Sequence, residues 1–204
     1  MNLARVSIFP LSGALLLPGM DLPLHIFEPR YRALIHDAMA RDRRIGMIQP
    51  RGVGPVPPLF DVGCLGHVSQ IEALDDGRFN IVLTGLARFR VIRELTVPTQ
   101  FRQVEADVEQ APQEDEVLHA VERAALEQES RRFADTLGYV VDWTAVSRLD
   151  DTALVNGIAQ IVPFDPAAKQ TLLEADTLSE RSERIIQLMQ IVGRIERDGN
   201  ATMQ

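Results

Sequence analysis

Any chemistry in this sequence must come from four histidines, one cysteine, one lysine and a few clustered charges. His25, His36, His67 and His119 are scattered, and no two share the i, i+4 spacing that sets two metal ligands on one helix face. Cys64 alone cannot build a zinc cluster. As a nucleophile it would need a histidine base. His67 lies three residues on, and along a strand that offset points the two side chains to opposite faces. Cys64 is therefore expected to be a buried structural thiol. Lys169 is the single lysine, and it has no adjacent serine with which to form a Ser–Lys dyad. No Gly-Lys-Ser/Thr exists for a phosphate-binding loop. Glu114, Asp115 and Glu116 could do acid–base work only in a desolvated cleft. At a helix start, the macrodipole and solvent explain them. Arg88, Arg90 and Arg93 could hold an anion, but solvent-facing strand positions paired to Glu94 or Asp107 are the simpler reading. Tyr139 and Trp143 are the main aromatic feature of the second half. Core packing is their default, and an exposed contact site is the alternative, because Trp and Tyr anchor interfaces.

The charge balance narrows the partners. A net charge of −8 counts against a nucleic-acid backbone, which needs clustered positive charge. The hydrophobic content of 46% with 25% charged residues is that of an ordinary globular protein. The longest apolar runs, such as Ala14–Pro18, are too short to cross a bilayer. No signal peptide is expected at the N-terminus, and one cysteine allows no internal disulfide. The expected location is the cytoplasm.

The elements that would position these residues are read from periodicity. Val6 and Ile8 alternate within a first strand over Ala4–Phe9. Pro10–Asp21 is a connection whose Leu15, Leu16 and Leu17 should pack rather than stay in water. Leu22, Leu24 and Ile26 alternate as a half-buried strand. Pro29 then suits a first helical turn, and Tyr31, Leu34, Ile35, Ala38 and Met39 form one apolar face. Another strand follows over Arg44–Gln49. Pro50–Pro58, rich in proline and glycine, is a loop, either a mobile excursion or a rigid arm. Strands resume at Val62, turn at Asp75–Arg78, continue from Phe79 with a break at Gly85, and end with Phe101–Glu109. Such a run implies a closed or nearly closed antiparallel sheet. Beyond it the composition turns helical. Ala111–Glu116 has a helix-start composition, with Val117, Val121, Ala124 and Ala125 as the inward face and Gly138 as the stop. Asp150 or Asp151 caps a second helix with Leu154, Ile158 and Ile161 inward. Asp165-Pro166 opens a third. Thr177-Leu178-Ser179-Glu180 is a capping box for a last helix burying Ile185, Leu188, Met189, Val192 and Ile195, and frayed from Asp198.

The order and spacing of several segments carry a resemblance. Pro10-Leu11, Leu17-Pro18-Gly19 and Leu22-Pro23-Leu24-His25-Ile26-Phe27-Glu28-Pro29-Arg30-Tyr31-Arg32 resemble the opening of the Lon protease N-terminal (substrate-binding) domain family. Gly63-Cys64, Asp76-Gly77-Arg78 and Gly85-Leu86-Ala87-Arg88-Phe89-Arg90-Val91 are similar to its sheet motifs. Ala168–Glu174 and Glu180-Arg181 are similar to its helical half. The resemblance covers almost the whole chain. It implies an α+β fold, with a β-rich PUA-like barrel over residues 1–110 and an α-helical bundle over 111–204. In the full-length protease this unit precedes an ATPase and a protease domain. This sequence holds neither, so their catalytic residues have no positions here.

The expected function is therefore a non-catalytic polypeptide-binding module that holds or delivers unfolded or specific proteins. Its implied partners are polypeptides and a protease. It needs no cofactor, metal, nucleic acid or membrane. The expected contact residues are Phe60, Tyr139 and Trp143, because both segments lie at breaks in regular structure where exposed apolar groups can meet a client. Two other classes stay open. One is a hydrolase with a site assembled from distant residues, which would show a polar pocket with paired titratable groups. The other is RNA binding through the barrel.

Overall fold

A computed structural model describes residues 2–110 and 116–201, with side chains described as far as Ile195. Backbone contacts divide the chain into two compact units, Met1–Gln113 and Glu114–Gln204.

The first unit contains β1 (Leu3–Pro10), β2 (Asp21–Ile26), α1 (Pro29–Met39), β3 (Arg44–Ile48), β4 (Val62–Ala73), β5 (Phe79–Leu95) and β6 (Gln103–Val108). The six strands lie in the order β2-β5-β4-β3-β1-β6. A further β5–β6 pairing closes five of them into a barrel and leaves β2 outside the ring. The closed sheet is mixed rather than antiparallel, because β1 and β3 run parallel. The crossover through β2 and α1 makes this possible, since a parallel pair needs a long connection and not a hairpin.

β5 is the strand that closes the ring. Phe79–Thr84 pair with β2, Phe89–Leu95 with β6, and β4 runs along most of the strand. The expected break at Gly85 does not occur. Gly85 lies inside β5, where the connection from β1 crosses it. The Gly19 amide donates to the Gly85 carbonyl at 2.9 Å, and the Gly85 amide donates to the Met20 carbonyl at 2.8 Å. That connection buries Leu15, Leu16 and Leu17 as expected. Phe89 fills the barrel with Val6, Ile8, Val104 and Ala106 around it. The turn before β5 places Gly77 at φ +78, which glycine adopts without strain.

α1 starts at Pro29 and buries Tyr31, Leu34, Ile35 and Ala38. The Tyr31 hydroxyl donates to the Pro10 carbonyl at 3.1 Å, and its ring meets Phe9 edge-on at 4.1 Å. Burial pushes the Tyr31 hydroxyl pKa up.

The second unit holds α2 (Ala120–Leu137), α3 (Trp143–Val146), α4 (Asp151–Ile161), α5 (Pro166–Leu173) and α6 (Leu178–Ala201). The caps agree with the sequence. Asp150 accepts from the Ala153 amide at 2.7 Å, Asp165 from Ala168 at 2.8 Å, and Gly138 ends α2 at φ +72. Thr177 accepts from the Glu180 amide at 3.1 Å, while Glu180 turns to the Asp176 amide instead of completing the box.

The faces differ from expectation. α2 begins at Ala120, not in the 111–116 stretch, of which 111–115 lie outside the described residues. Val117, Val121, Ala124 and Ala125 are all exposed. Leu126, Glu129, Ser130, Phe133 and Ala134 take the buried stripe, because the larger Leu and Phe side chains remove more apolar area from water. Ile161 at the end of α4 and Ile195 in the last third of α6, both expected inward, are exposed. α6 continues past Asp198 to Ala201, and residues 202–204 lie outside the described set.

Carboxylates stitch the start of this unit together. Asp151 accepts from the Leu118 amide at 2.9 Å and pairs with Arg123 at 2.5 Å. Glu122 accepts from the His119 amide at 2.8 Å and from the Ser179 hydroxyl. The Arg123 hydrogen bond lowers the Asp151 pKa, the Ser179 hydroxyl that of Glu122, and the Asp176 amide that of Glu180. A depressed carboxylate contributes stability above its unfolded pKa and loses it as pH falls through the folded value. The helical signal should therefore melt at progressively lower temperature as pH drops from about 5 to about 3. Asp151→Asn should flatten that dependence, and an unchanged pH profile in the variant would exclude Asp151 as a source.

Candidate polypeptide-binding surfaces

Phe60 closes the arm 49–61 of the barrel unit. A bridge joins Pro50 to Leu59, the Phe60 amide donates to Gln49 at 2.9 Å, and the Arg51 amide donates to Pro58 at 2.7 Å. Arg51 also pairs with Asp61 at 2.9 Å and lies 4.9 Å over the Phe60 ring. Arg102 holds the Pro57 carbonyl at 2.9 Å. The arm thus has a hydrogen-bonded base. Its apolar residues divide in two. Leu59 packs against the barrel core, and Phe60 is half-buried. At the tip, between Gly52 and Gly54 at positive φ and the prolines that follow, Val53 is 101% exposed and Val56 69%.

Tyr139 and Trp143 belong to the helical unit. Tyr139 is half-exposed, its amide bonded to the Ala134 carbonyl at 2.9 Å as part of the α2 cap. Val140 beside it is fully exposed. Trp143 opens α3, a single turn with no buried residue, capped by Asp142 at 3.0 and 3.1 Å. Its indole is half-buried beneath the Arg131 guanidinium, 4.4 Å from the ring centre. The segment Gly138–Trp143 therefore presents Tyr139 and Val140 outward and keeps Trp143 partly covered.

The other singled-out residues take structural places. Cys64 is buried in β4. Lys169 is buried on α5, donates to the Gln160 carbonyl at the end of α4 at 3.0 Å, and has its ammonium pKa lowered by burial. Arg88 pairs with Glu109 at 2.7 Å and Arg93 with Glu105 at 2.8 Å. Glu94 is instead held by Arg102 at 2.6 Å, which lowers its pKa. Glu116 accepts from the Leu178 amide at 2.6 Å, and Glu114 and Asp115 lie outside the described residues. His25 stacks on Phe27, and His36 meets the Phe79 ring edge-on at 5.2 Å. Among the described residues no three His, Cys, Asp or Glu side chains gather to hold a metal ion, and no helix is long and apolar enough to cross a membrane. A recess between β1 and α1 holds Asp37 and Asp42, each ion-paired to Arg41 or Arg44.

Sequence reasoning missed Val53, Val56 and Phe27. Phe27 is 60% exposed directly after β2. The signal for it was present, since strand alternation that buries Ile26 turns its neighbours outward.

Comparison with known proteins agrees with this architecture. Residues 5–190 match the model of the ATP-dependent protease La (LON) substrate-binding domain. The chain belongs to that family. Lon protease 2 of Herpetosiphon aurantiacus is 24% identical over 187 residues, covering 89% of this chain and 23% of that protein. Lon protease of Escherichia coli K12 is 26% identical over 200 residues, covering 91% and 24% respectively. The chain thus spans about a quarter of the length of the curated relatives it matches. Among solved structures, the Lon N-terminal domain protein from Xanthomonas campestris superposes with a TM-score of 0.67 at 21% identity, covering 90% of this chain and 98% of that one. The N-terminal domain of Mycobacterium avium complex Lon protease gives 0.61 at 20% identity, covering 92% and 98%. These Lon-domain structures share its α+β fold.

Proposed function

We propose that this chain recognises polypeptides, holding or delivering unfolded or specific proteins, and that it performs no chemistry of its own. The observation that carries this reading is the match to a substrate-binding domain over residues 5–190. The exposed apolar arm tip is consistent with it, because soluble proteins seldom leave contiguous apolar side chains in water without use. The contact residues in this reading are Phe60 with the Val53–Val56 tip in the barrel unit, and Tyr139 and Trp143 in the helical unit.

The test is binding of a fluorescently labelled, permanently unfolded polypeptide. Val53→Ser with Val56→Ser should weaken binding about fivefold, in line with two lost apolar anchors. Both side chains are exposed, so the thermal midpoint should not move. Unchanged affinity would remove the arm tip from the site.

Trp143→Ala separates contact from packing. The Arg131 guanidinium loses its indole partner, a cost of about 1 kcal/mol at a partly exposed site. Client binding should weaken while the helical unit melts only a few degrees lower. A collapse of the helical signal would make Trp143 a packing residue instead.

A further inference from the structure

The β2–β5–β4 end of the sheet carries an open groove of about 470 Å³ that the surfaces above do not use. Three cross-strand rungs build this face, and the second and third of them line the groove. In the first, the Thr84 hydroxyl donates to Asp21 at 2.6 Å and lies 3.0 Å from the Ser69 hydroxyl. In the third, His25 Nδ1 and Asn80 Oδ1 are 2.7 Å apart, and the Asn80 amide donates to Glu72 at 2.8 Å. Pro23 and Val82 pair across the middle rung, with Gln70 beyond. An apolar strip therefore lies between two polar rungs. β2 is the end strand here, and no other strand covers its outer edge among the described residues.

The charges on this face are unbalanced, although Arg78 reaches the His25 ring at 3.3 Å. Glu72 stands on the groove and Asp21 on the rung beyond its end, diagonally opposite, and neither has an ion-pair partner among the described residues. Their neighbours Glu28 and Asp76 are neutralised by Arg30 at 2.9 Å and Arg78 at 2.5 Å. Asp75, in the adjacent turn, is a third carboxylate with no ion pair among the described residues. Arg32, packed over Gly77, forms no ion pair among the described residues. The balance favours a cationic occupant with an apolar centre.

We propose that this face binds an extended polypeptide segment in which two lysines or arginines flank an apolar residue. Asp21 and Glu72 are about four residues apart along the strands and two strands apart across them, or roughly 16 Å. An extended chain covers that distance in about five residues. Alternation then puts basic side chains at positions i and i+4, with the apolar one at i+2 on the same face. The long lysine and arginine stems supply the remaining reach. This inference rests on the reading that the chain recognises polypeptides, and it adds which client segment is recognised and where.

The probe is a fluorescein-labelled peptide, Ser-Gly-Lys-Ser-Val-Ser-Lys-Gly-Ser, beside the same peptide with both lysines replaced by glutamate. The lysine peptide should bind the wild-type chain and shift the Val82 amide resonance. The double variant Asp21→Asn with Glu72→Gln should bind about tenfold more weakly, and raised salt should do the same, as expected for exposed charge pairs. A thermal scan confirms that the variant is folded. The salt series and the Val82 shift test the wild-type chain independently of it. Equal binding of both peptides, an unmoved Val82 amide, or a self-associated dimer with the groove covered by a second copy would each overturn the proposal. Unfolded polypeptide that binds while the lysine peptide does not would overturn this face alone. If neither binds, polypeptide recognition itself falls with it.

Discussion

Gly85→Ala is expected to destabilise the barrel unit by about 3 kcal/mol, the upper range for overpacking a filled site. A β-carbon at Gly85 would overlap the Leu17 carbonyl oxygen and crowd Pro18. Neither side can retreat easily. Leu17 is fully buried, and its carbonyl also accepts from the Met20 amide at 3.1 Å. The Gly85 amide and carbonyl are themselves bonded to Met20 and Gly19. Relief would have to lift the whole connection, exposing Leu15, Leu16 and Leu17 together. Gly157→Ala is the control. Its β-carbon would meet nothing within 4 Å, and α4 should gain about 0.5–1 kcal/mol from the better helix former. Urea denaturation reads both. A Gly85→Ala chain as stable as wild type would mean that the connection does not rest on β5.

The same glycine marks where the sequence was readable and where it was not. The junction at Leu22–Met39 was legible because period 2 turns to period 3.6 across a proline, and β2 and α1 follow it. Asp150, Asp165 and Gly138 were legible because each supplies a local hydrogen bond or a left-handed backbone that few residues provide. Gly85 looked like a strand break because its role depends on Leu17, Gly19 and Met20, 65 to 68 positions earlier in the chain. The parallel β1–β3 pairing is likewise a long-range fact. Helix faces were misjudged where several candidate stripes compete. Val117 and Val121 gave α2 one apolar face, but Leu126 and Phe133, offset from it, are larger and take the packed side. Ile161 and Ile195 continue correct periodicities but are exposed toward the C-terminal ends of their helices. Of the three expected contact residues, Tyr139 is the exposed one, beside the glycine that ends α2, while Phe60 and Trp143 are half-buried. Val53 and Val56 escaped notice because valine in a loop carries no chemical signature.

Arg181→Ala should have the largest effect on the helical unit, about 4 kcal/mol. Arg181 is buried near the start of α6. Its guanidinium donates to the Leu172 carbonyl at 2.9 Å, to the Asn156 side-chain oxygen at 3.0 Å and to the Ala175 carbonyl at 3.2 Å. One side chain thus joins α6 to the end of α5 and to α4. Alanine would leave all three acceptors buried and without this donor, and hydrogen bonds to a charged group are worth about 1.5–3 kcal/mol each. A unit of this size is stable by only about 5–10 kcal/mol, so the loss takes up a large part of the margin. Lysine should not rescue it, because an ammonium cannot reproduce the planar fork that reaches three acceptors in different directions. Asn156→Ala removes one acceptor together with its need, and should cost about 1 kcal/mol. Helical circular dichroism against temperature orders the three variants. An Arg181→Lys midpoint near wild type would show that a point charge suffices, and that the fork geometry does not hold the three helices together.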